Sequence, residues 1–597
     1  MQKPACRTVL VLPLLLLLSC VQPFRQPTAE ANRFTTSPGS PRTATQSQVY
    51  YVRTDGGTAV DCSGLLDAPY TGSGPGQPCA WSHPFWALDE NGAWKLMPGD
   101  TLIIVAGSYK MGYGDVPNSG WCSQDGTWLC HLPPLPSGTS VQAPTRLLGA
   151  GYNSGCSQPP ELWGSQRAET VLDLTSTSNA VVSCLEITDH SGCALDHGDP
   201  AARCTRDTYP YGDYTDQGLV ASDSSNVTLQ HLNIHGLANG GIQAARLTDW
   251  TVEDVRLAGN GGVGWNGDMG TDESSNNGTL TFNRLMVEWN GCPESYPGKQ
   301  HANCWGQELL GGYGDGFGET RTAGHWVFED STFRYNTSDG LDLLYVGVDH
   351  PGTLVEVNHS VAYGNAGNQF KVGGASRLVN SLAVSNCAFF YNKPFASGMG
   401  PLDSGNYCRA GGAAISINLS AGAGAYLIND TVASQGWAEA ELQCNTKDFP
   451  DQPACNNTQR VWIQNSLFFG YPQVMQGADP PPTGFIGDGD PEHFTTADTV
   501  DYNIVYIAEI SSPVGPHTLL NDPKITNGSL DLFDGRLQPG SPAIDLGLPV
   551  GSLNGLVPGD DLEHHIRPSG SGVDLGAYEW NPATVWLRTF LPIVLRY

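Results

Sequence analysis

Basic residues are scarce in this sequence: 29 Lys and Arg stand against 59 Asp and Glu, which gives a formal net charge of -30. Proteins that bind nucleic acid neutralise its phosphates with clustered Lys and Arg, so this balance argues against a nucleic-acid partner. Beyond the N-terminal region there is also no apolar run long enough to cross a membrane. Long helical patterns are missing as well, whereas 73 glycines and frequent Asn and Asp favour a chain with many turns.

The N-terminal region has the features of an export signal. Lys3 and Arg7 precede an apolar run, Val9 to Leu18, which is too short to span a bilayer. We expect a signal peptide over residues 1–20 and, from the abundance of Pro, Ser and Thr, a disordered tether over residues 21–47. The residues around Cys20 resemble a bacterial lipoprotein cleavage site, so a lipid anchor at Cys20 is the alternative to free secretion. Either route predicts a secreted or cell-surface protein.

No two cysteines show the two-residue spacing that is typical of zinc sites. Apart from Cys6 and Cys20 they are even in number and fall into local pairs, which favours disulfides formed in an oxidising compartment. Sequence does not fix connectivity, and proximity along the chain gives the pairs Cys62/Cys79, Cys122/Cys130, Cys156/Cys184, Cys193/Cys204, Cys292/Cys304, Cys387/Cys408 and Cys444/Cys455.

A short internal repeat is the clearest signal of the fold. Four of its copies are Val252–Asn260, Phe282–Asn290, Phe328–Asn336 and Val357–Asn365, each with partly alternating apolar residues and an Asn at the closing turn. The spacing is roughly 20–30 residues where no loop intervenes, which is typical of repeat architectures. We therefore predict a parallel β-helix in which these Asn residues stack as a ladder. A β-sandwich or a propeller is the alternative, but the repeat is too short for a four-stranded blade.

Both ends of the repeat region resemble the pectate-lyase-like β-helix superfamily. The resemblance rests on Tyr50-Tyr51-Val52 with Pro98–Tyr109 at the start, and on Pro539–Asp545 with Asp574–Glu579 at the end. It implies an all-β, right-handed parallel β-helix with disulfide-stapled loops. We expect the β-helix catalytic domain over residues 48–519, its closing segment over residues 520–580 and an apolar C-terminal tail over residues 581–597.

Three carboxylates and one Lys fall on successive coils of this repeat. Aligning Asn336 with Asn365 brings Asp342 opposite Lys371, and their apolar neighbours must point inward, so both side chains point outward. Asp315 falls at the place of Asp339, one coil earlier. We therefore expect Asp315, Asp339, Asp342 and Lys371 to converge on one outer face. The structural alternatives are an ordinary Asp-Gly turn and a weak surface ion pair.

The same residues resemble the family 9 polysaccharide lyases, the pectate lyases that use a Lys base. The match comprises Asp315, then Asp339 and Asp342, then the segment Phe370–Gly374, while Ser338 stands where that family often has another Asp. The resemblance implies Ca²⁺ held by the three aspartates and β-elimination on an acidic, uronate-containing polysaccharide, with Lys371 as the base.

Other residues are candidates for contact with the polymer. Arg409 is a candidate to contact substrate carboxylates in catalysis and binding, and Tyr313, Trp265 and Trp289 are candidates to line a sugar cleft, although core or loop packing competes for each aromatic residue. Glu563-His564-His565 near the C-terminus is interpreted as structural. We expect the protein to be a monomer.

Two other functions stay open from the sequence. A β-helix glycoside hydrolase would use a pair of these aspartates on either side of the scissile bond. A non-catalytic surface protein, such as an adhesin or a glycan-binding solenoid, would use the same fold without chemistry.

Overall fold

The computed structural model describes residues 47–581 except 115, 117–121, 123–129, 166–167, 192–213, 270–274, 297–299, 302–303, 305–313, 348–349, 392–407, 409–411, 420, 445–457, 475–480, 488–495 and 497–498. This part of the chain is almost entirely β-structure. Its helices are α1 (Ala388–Tyr391), α2 (Ser552–Gly555) and two short 3₁₀ helices, Pro84–Ala87 and Leu530–Leu532. None of the helices described is long and apolar enough to cross a membrane.

The strands follow in chain order. They are β1 (Val49–Gly57), β2 (Thr101–Ile104), β3 (Ser108–Lys110), β4 (Thr145–Gly149), β5 (Glu161–Gly164), β6 (Thr170–Asp173), β7 (Ser178–Asp189), β8 (Gln217–His235), β9 (Gly240–Glu253), β10 (Arg256–Ala258), β11 (Trp265–Asn266), β12 (Asn277–Asn283), β13 (Met286–Glu288), β14 (Glu294–Ser295), β15 (Gln300–His301), β16 (Phe317–Gly318), β17 (His325–Glu329), β18 (Thr332–Arg334), β19 (Leu341–Leu343), β20 (Leu354–Asn358), β21 (Val361–Tyr363), β22 (Phe370–Gly373), β23 (Ala375–Val379), β24 (Leu382–Ser385), β25 (Ile415–Asn418), β26 (Gly424–Ile428), β27 (Thr431–Ser434), β28 (Ala438–Gln443), β29 (Arg460–Gln464), β30 (Leu467–Gly470), β31 (Gly484–Gly487), β32 (Val500–Asp501), β33 (Ile504–Tyr506), β34 (Ile525–Asn527) and β35 (Asp534–Leu537).

All strands except two small antiparallel pairs, β14–β15 and β34–β35, belong to three parallel stacks that wind around one core. We name the stacks in the order in which each coil visits them. Sheet 1 contains β1, β2, β4, β12, β17, β20, β23, β26, β29 and β32; sheet 2 contains β3, β5, β10, β13, β18, β21, β24, β27, β30 and β33; and sheet 3 contains β6, β11, β16, β19, β22, β25, β28 and β31. The long strands β7, β8 and β9 bend and contribute to more than one sheet. This topology confirms the predicted right-handed parallel β-helix.

The corner between sheet 1 and sheet 2 is the same in successive coils. Two residues connect the sheets from Asp254-Val255 onward, and the first of them has a positive φ, for example 51° at Asp330 and 46° at His359. This conformation bends the chain sharply with a single residue, which Asn and Asp tolerate better than most side chains. The first residues of these corners are Asp254, Arg284, Asp330, His359, Asn380, Asn429, Asn465 and Tyr502.

The second residues of these corners form a polar ladder in the later coils. The backbone N–H of Ser331 donates to Ser360 Oγ at 3.1 Å, Ser360 donates in the same way to Ser381, and Ser381 donates to Asp430 Oδ1 at 2.8 Å. The ladder continues from Asp430 to Ser466 Oγ at 3.1 Å and from there to Asn503. Each coil thus satisfies a buried N–H of the previous one.

The predicted asparagine ladder is confirmed at the end of sheet 2. Nδ2 of Asn260 donates to Asn290 Oδ1 at 2.9 Å, Asn290 donates in the same way to Asn336 at 2.9 Å, and Asn336 donates to Asn365 at 2.8 Å. Gln369 ends the row, because its Oε1 accepts from Asn365 Nδ2 at 3.0 Å. All four Asn side chains are fully buried, so the row fixes the vertical register of these coils.

Apolar side chains fill the interior of the coils. Trp265 stacks on Phe317 with ring centroids 5.1 Å apart, and Phe282 stacks on Phe328 at 4.6 Å. A second apolar layer lies outside sheet 2, where Trp289 packs against Tyr335 at 4.9 Å under the short helix α1. Part of the predicted closing segment covers the same outer layer.

Five of the predicted disulfides are confirmed: Cys62–Cys79, Cys122–Cys130, Cys156–Cys184, Cys292–Cys304 and Cys387–Cys408. Cys193, Cys204 and Cys455 lie outside the described residues, so the remaining two pairings stay predictions. The predicted signal peptide with Cys20, the predicted tether up to residue 46 and most of the C-terminal tail also lie outside them.

Candidate active site

The candidate residues lie on the outer face of sheet 3. Register pairs Gly318 of β16 with Asp342 of β19, Asp342 with Lys371 of β22, and Lys371 with Ser416 of β25. Their strand neighbours Leu341, Leu343, Phe370 and Val372 are fully buried in the core. The predicted alignment of Asp342 with Lys371 is therefore observed, and both side chains point away from the core.

Each aspartate is anchored through one carboxylate oxygen. Asp315 Oδ1 accepts from the backbone N–H of Asp339 at 3.0 Å, and Asp339 Oδ1 accepts from the backbone N–H of Asn368 at 2.6 Å. Asp342 Oδ1 accepts from the backbone N–H of Leu344 at 3.1 Å. These bonds fix the three carboxylates in place and leave Oδ2 of each available to another group.

Lys371 bridges two of these carboxylates. Its Nζ lies 2.6 Å from Asp339 Oδ2 and 3.1 Å from Asp342 Oδ2. Only 13% of the Lys371 side chain and 5% of the Asp339 side chain are exposed. A Lys that is this well buried and paired is more strongly held than a surface ion pair, whose net contribution is small.

The site has more negative than positive charge. Burial, followed by the charges of Asp339 and Asp342, raises the pKa of Asp315 to about 7. Burial also raises the pKa of Asp339, against the opposing effect of Lys371. Burial by itself would lower the pKa of Lys371, but the negative charges of the three aspartates outweigh it and raise that pKa well above its usual value. Lys371 is therefore an ammonium ion among carboxylates that are short of countercharge.

Two glycines shape the space around the carboxylates. A Cβ on Gly367 would lie 2.2 Å from Asp339 Oδ1, so no other residue fits there. A Cβ on Gly318 would meet only the Asp315 side chain, with its nearest atom, Oδ2, at 3.6 Å. Gly318 precedes Asp342 in the register, so there is room for a methyl group beside Asp315 on the outer face next to Asp342.

The donor set suits a hard cation, because Ca²⁺ binds carboxylate oxygens. The excess negative charge agrees with such a ligand. Among the described residues, however, these three aspartates do not form a group whose potential ligand atoms all lie within 4.8 Å of one another. The ammonium of Lys371 stands between Asp339 and Asp342, so a cation bound to both would have to displace it.

Two other predicted site residues, Arg409 and Tyr313, lie outside the described residues. The suggestion that Trp265 lines a sugar cleft is wrong, because this side chain is fully buried in the core. Trp289 is 7% exposed and belongs to the packed layer outside sheet 2. The competing interpretation of these two aromatic residues, as packing residues, is the one observed.

A polar network beyond Lys371 was missed by the sequence reasoning. Ser416 Oγ donates to Glu441 Oε2 at 2.9 Å and accepts from Gln443 Nε2 at 2.9 Å. Ser416 and Glu441 occupy the positions that follow Lys371 on the next two coils. Extending the coil alignment past Lys371 would have found them.

No family model matches the chain, and no curated protein matches it. Solved structures that resemble it include pectate lyase Pel9A, with 15% identity over 90% of this chain and 98% of that chain at a TM-score of 0.38. Others are the A-module of the Azotobacter vinelandii mannuronan C-5 epimerase AlgE4 (14% identity; 71% and 91% covered; TM-score 0.37) and a rhamnogalacturonan lyase (11%; 83% and 96%; 0.36). These identities and TM-scores assign no activity to this chain.

Proposed function

We propose that this protein is an exported polysaccharide lyase that cleaves an acidic, uronate-containing polysaccharide by β-elimination. The observation that carries the proposal is the placement of Lys371 Nζ, 2.6 Å from Asp339 and 3.1 Å from Asp342 on the outer face of sheet 3. The disulfides agree with export to an oxidising compartment.

Lys371 has the role of the base in this proposal. In its neutral form Nζ takes the C5 proton of a uronate, the electrons of the C5–H bond form the C4–C5 double bond, and the C4–O bond breaks. The leaving oxygen keeps the electron pair of the C4–O bond and takes a proton from solvent. Phe370 and Val372 anchor the strand on both sides of Lys371 in the core, which holds the amine in a fixed position.

In this proposal the aspartates would hold the cation that the chemistry needs. Asp315, Asp339 and Asp342 are the residues that would hold Ca²⁺. When bound, Ca²⁺ would supply positive charge that neutralises the substrate carboxylate and offsets the carboxylates that keep Lys371 protonated. The neutral amine is favoured at alkaline pH.

The reaction is tested on polygalacturonate and related uronate polymers by ultraviolet absorbance of the new double bond. Replacing Lys371 with Ala should lower turnover about 10³-fold, as expected for loss of a general base. Lys371→Arg should not restore it, because Arg does not deprotonate. Lys524→Ala is the matched control, since Lys524 is exposed and its ammonium donates to the carbonyl of Gly540 at 3.1 Å, away from the carboxylates of the site. Saturated reducing ends as product, or near-normal turnover of Lys371→Ala, would contradict the lyase proposal.

The metal is tested separately by chelation and by calorimetry. Activity should disappear in excess chelator and return with Ca²⁺. Asp339→Asn should weaken Ca²⁺ binding while circular dichroism stays unchanged, because the amide oxygen can still accept from Asn368. Full activity in excess chelator would rule out the calcium requirement.

A glycoside hydrolase is the second candidate, and one observation favours it. The pKa of Asp315 is raised to about 7, first by burial, so this carboxyl could donate a proton to a leaving group near neutral pH. Asp339 or Asp342 would then be the partner carboxylate. Hydrolytic products that depend on Asp315 but not on Lys371 would select this function. Absence of both metal binding and turnover would favour a non-catalytic glycan-binding protein.

A further inference from the structure

Two imidazoles and a carboxylate meet where the closing segment packs on the corner between sheet 1 and sheet 2. Asp330 and His359 are the first corner residues of adjacent coils, and His564 comes from the closing segment. One ligand atom from each lies within 4.8 Å of the other two. The rings of His359 and His564 stack with centroids 4.5 Å apart, and His564 Nε2 lies 2.8 Å from Asp330 Oδ1.

In both His359 and His564, Nε2 faces the group and Nδ1 contacts a further carboxylate. His359 Nδ1 lies 2.7 Å from Glu329 Oε1, and His564 Nδ1 lies 3.2 Å from Asp560 Oδ2. Histidines that bind metals through Nε2 commonly donate their Nδ1–H to a carboxylate, which fixes the tautomer and the ring orientation. Both rings therefore have the arrangement of metal-binding imidazoles.

The surroundings of His359 also fix which nitrogen carries the lone pair. Arg567 Nη2 donates to Asn380 Oδ1 at 3.2 Å, and Asn380 Nδ2 donates to the carbonyl of Asp560 at 2.7 Å. The amide of Asn380 is thus oriented, and its Nδ2 lies 3.1 Å from His359 Nε2. Since Nδ2 can only donate, this contact requires a lone pair on His359 Nε2, and a metal bound there would take the place of the Asn380 amide.

We propose that Asp330, His359 and His564 form a binding site for a divalent transition metal of the zinc class. Two imidazole nitrogens with a carboxylate oxygen suit Zn²⁺ and its neighbours, whereas Ca²⁺ takes oxygen ligands. Asp560 is not among the residues whose ligand atoms lie within 4.8 Å of one another, so a water molecule would complete the coordination. His564 is 52% exposed, so an ion can enter from solvent, while His359 at 12% is held by the coil.

The site joins parts of the chain that are far apart in sequence. Asp330 and His564 are separated by 234 residues, and the metal would tie the closing segment to two coils at once. The candidate active site lies on sheet 3 and has only carboxylates and a Lys. The metal site is therefore independent of the proposed function, both in place and in metal preference.

The test uses the full chain, stripped of metal by chelator and then titrated with Zn²⁺ by calorimetry and with Co²⁺ by visible absorption. We expect saturable Zn²⁺ binding and a Co²⁺ ligand-field spectrum typical of nitrogen and oxygen ligands. His359→Ala and His564→Ala should each weaken Zn²⁺ about 100-fold, and Glu329→Gln should weaken it about tenfold by removing the partner of Nδ1. His565→Ala is the control, because His565 pairs with Asp561 instead.

Thermal unfolding provides the second measurement. Zn²⁺ should raise the unfolding temperature of the wild type and of His565→Ala, and should not raise that of His564→Ala. His564→Gln is a milder variant with the same expected loss if the Ala variant does not fold. Zn²⁺ binding and stabilisation that persist unchanged in the His359 and His564 variants would overturn the proposal. The absence of saturable Zn²⁺ binding to the wild type would also overturn it and would show that these residues form hydrogen-bonded ion pairs only.

Discussion

Lys371 lies among buried carboxylates, including Asp315, that the packing of the coils does not require. Burial makes the ionised carboxylates of Asp315 and Asp339 costly, and the single ammonium of Lys371 does not offset both. A protein tolerates such an excess of buried charge mainly where function requires it. A bound cation would offset this excess of negative charge.

Gly318 offers a sharp test of the space beside Asp315. Its Cβ would meet no atom closer than 3.6 Å, so Gly318→Ala should fold normally. The added methyl group would fill part of the space next to Asp315, and we expect weaker Ca²⁺ binding and lower lyase turnover, each by about tenfold, or about 1.4 kcal/mol. Calorimetry and the absorbance assay measure the two effects.

Gly484→Ala is the matched control for this substitution. Gly484 begins β31 of the same sheet, and its Cβ would meet its nearest atom at 3.4 Å. It lies in a later coil than Lys371, so its replacement should change neither Ca²⁺ binding nor turnover. Equal effects of the two substitutions would show that Gly318 has no particular role.

The sequence predicted the alignment of Asp342 with Lys371 because the distance from Asn336 to Asp342 equals the distance from Asn365 to Lys371. It did not predict the group formed by Asp330, His359 and His564. That contact depends on how the closing segment folds back onto the coils, and no repeat pattern contains this information. His564 was interpreted as structural, and its position between Asp330 and Asp560 agrees with a role in attaching that segment.

At the scale of the element, the corner ladder between sheet 1 and sheet 2 contains one ionisable residue, Asp430. Asp430 stands where neighbouring coils have Ser381 and Ser466, and its Oδ2 has no hydrogen-bond partner. Burial, against backbone N–H donors that oppose it, raises the pKa of Asp430 well above its usual value. The folded protein keeps this carboxyl protonated at a pH where the unfolded chain has already ionised it.

The sign of the resulting pH dependence follows from that shift. Unfolding releases the proton of Asp430 at any pH between its unfolded pKa, about 3.9, and its raised folded pKa. Stability from this group is complete below the unfolded value and falls by about 1.4 kcal/mol for each pH unit across that interval. Asp430→Asn removes the titration, and Asn503 shows that an amide fits this ladder, since its Nδ2 donates to Ile463 at 2.7 Å.

We therefore expect Asp430→Asn to be more stable than the wild type at pH 8, with a gain that shrinks as the pH falls toward 4. Chemical denaturation at several pH values measures the gain. Asp522→Asn, at an exposed position, should give no comparable trend. A gain that is the same at pH 4 and pH 8 would contradict the burial of an ionisable Asp430 as its cause.

The ladders also show why one row of polar residues was predicted and the other was missed. The Asn row was visible because Asn260, Asn290, Asn336 and Asn365 share one residue type at one place. The corner row mixes Ser, Asp and Asn and is apolar in earlier coils such as that of Leu285. Any small side chain that accepts a hydrogen bond serves there, so residue identity alone does not reveal it.

At the scale of the whole molecule, disulfides staple loops onto the coils. Cys292–Cys304, with a sequence separation of 12, closes a loop that also holds Glu294 against His235, at 2.9 Å. Replacing both cysteines with Ser should lower the free energy of unfolding by about 3 kcal/mol, because the unfolded chain regains the freedom of that loop. Chemical denaturation measures the loss.

Peptide mapping under non-reducing conditions is the companion measurement. It should recover the five observed disulfides and link Cys193 to Cys204 and Cys444 to Cys455. Free thiols at Cys292 and Cys304 in the native protein would contradict both the pairing and the expected loss of stability.

The invariant two-residue corner has a consequence for where this molecule can tolerate length changes. From Asp254 onward that edge has no spare residue, whereas the path from sheet 2 to sheet 3 ranges from 3 residues between β27 and β28 to 29 between β24 and β25. An insertion at the tight edge would shift the inward and outward faces of the strand that follows, but an insertion at the wide edge would only lengthen a loop. Grafted peptides, tags and new loops therefore belong on the sheet 2 to sheet 3 edge. The corner between sheet 1 and sheet 2 instead presents one side chain per coil at a regular spacing of about 4.8 Å.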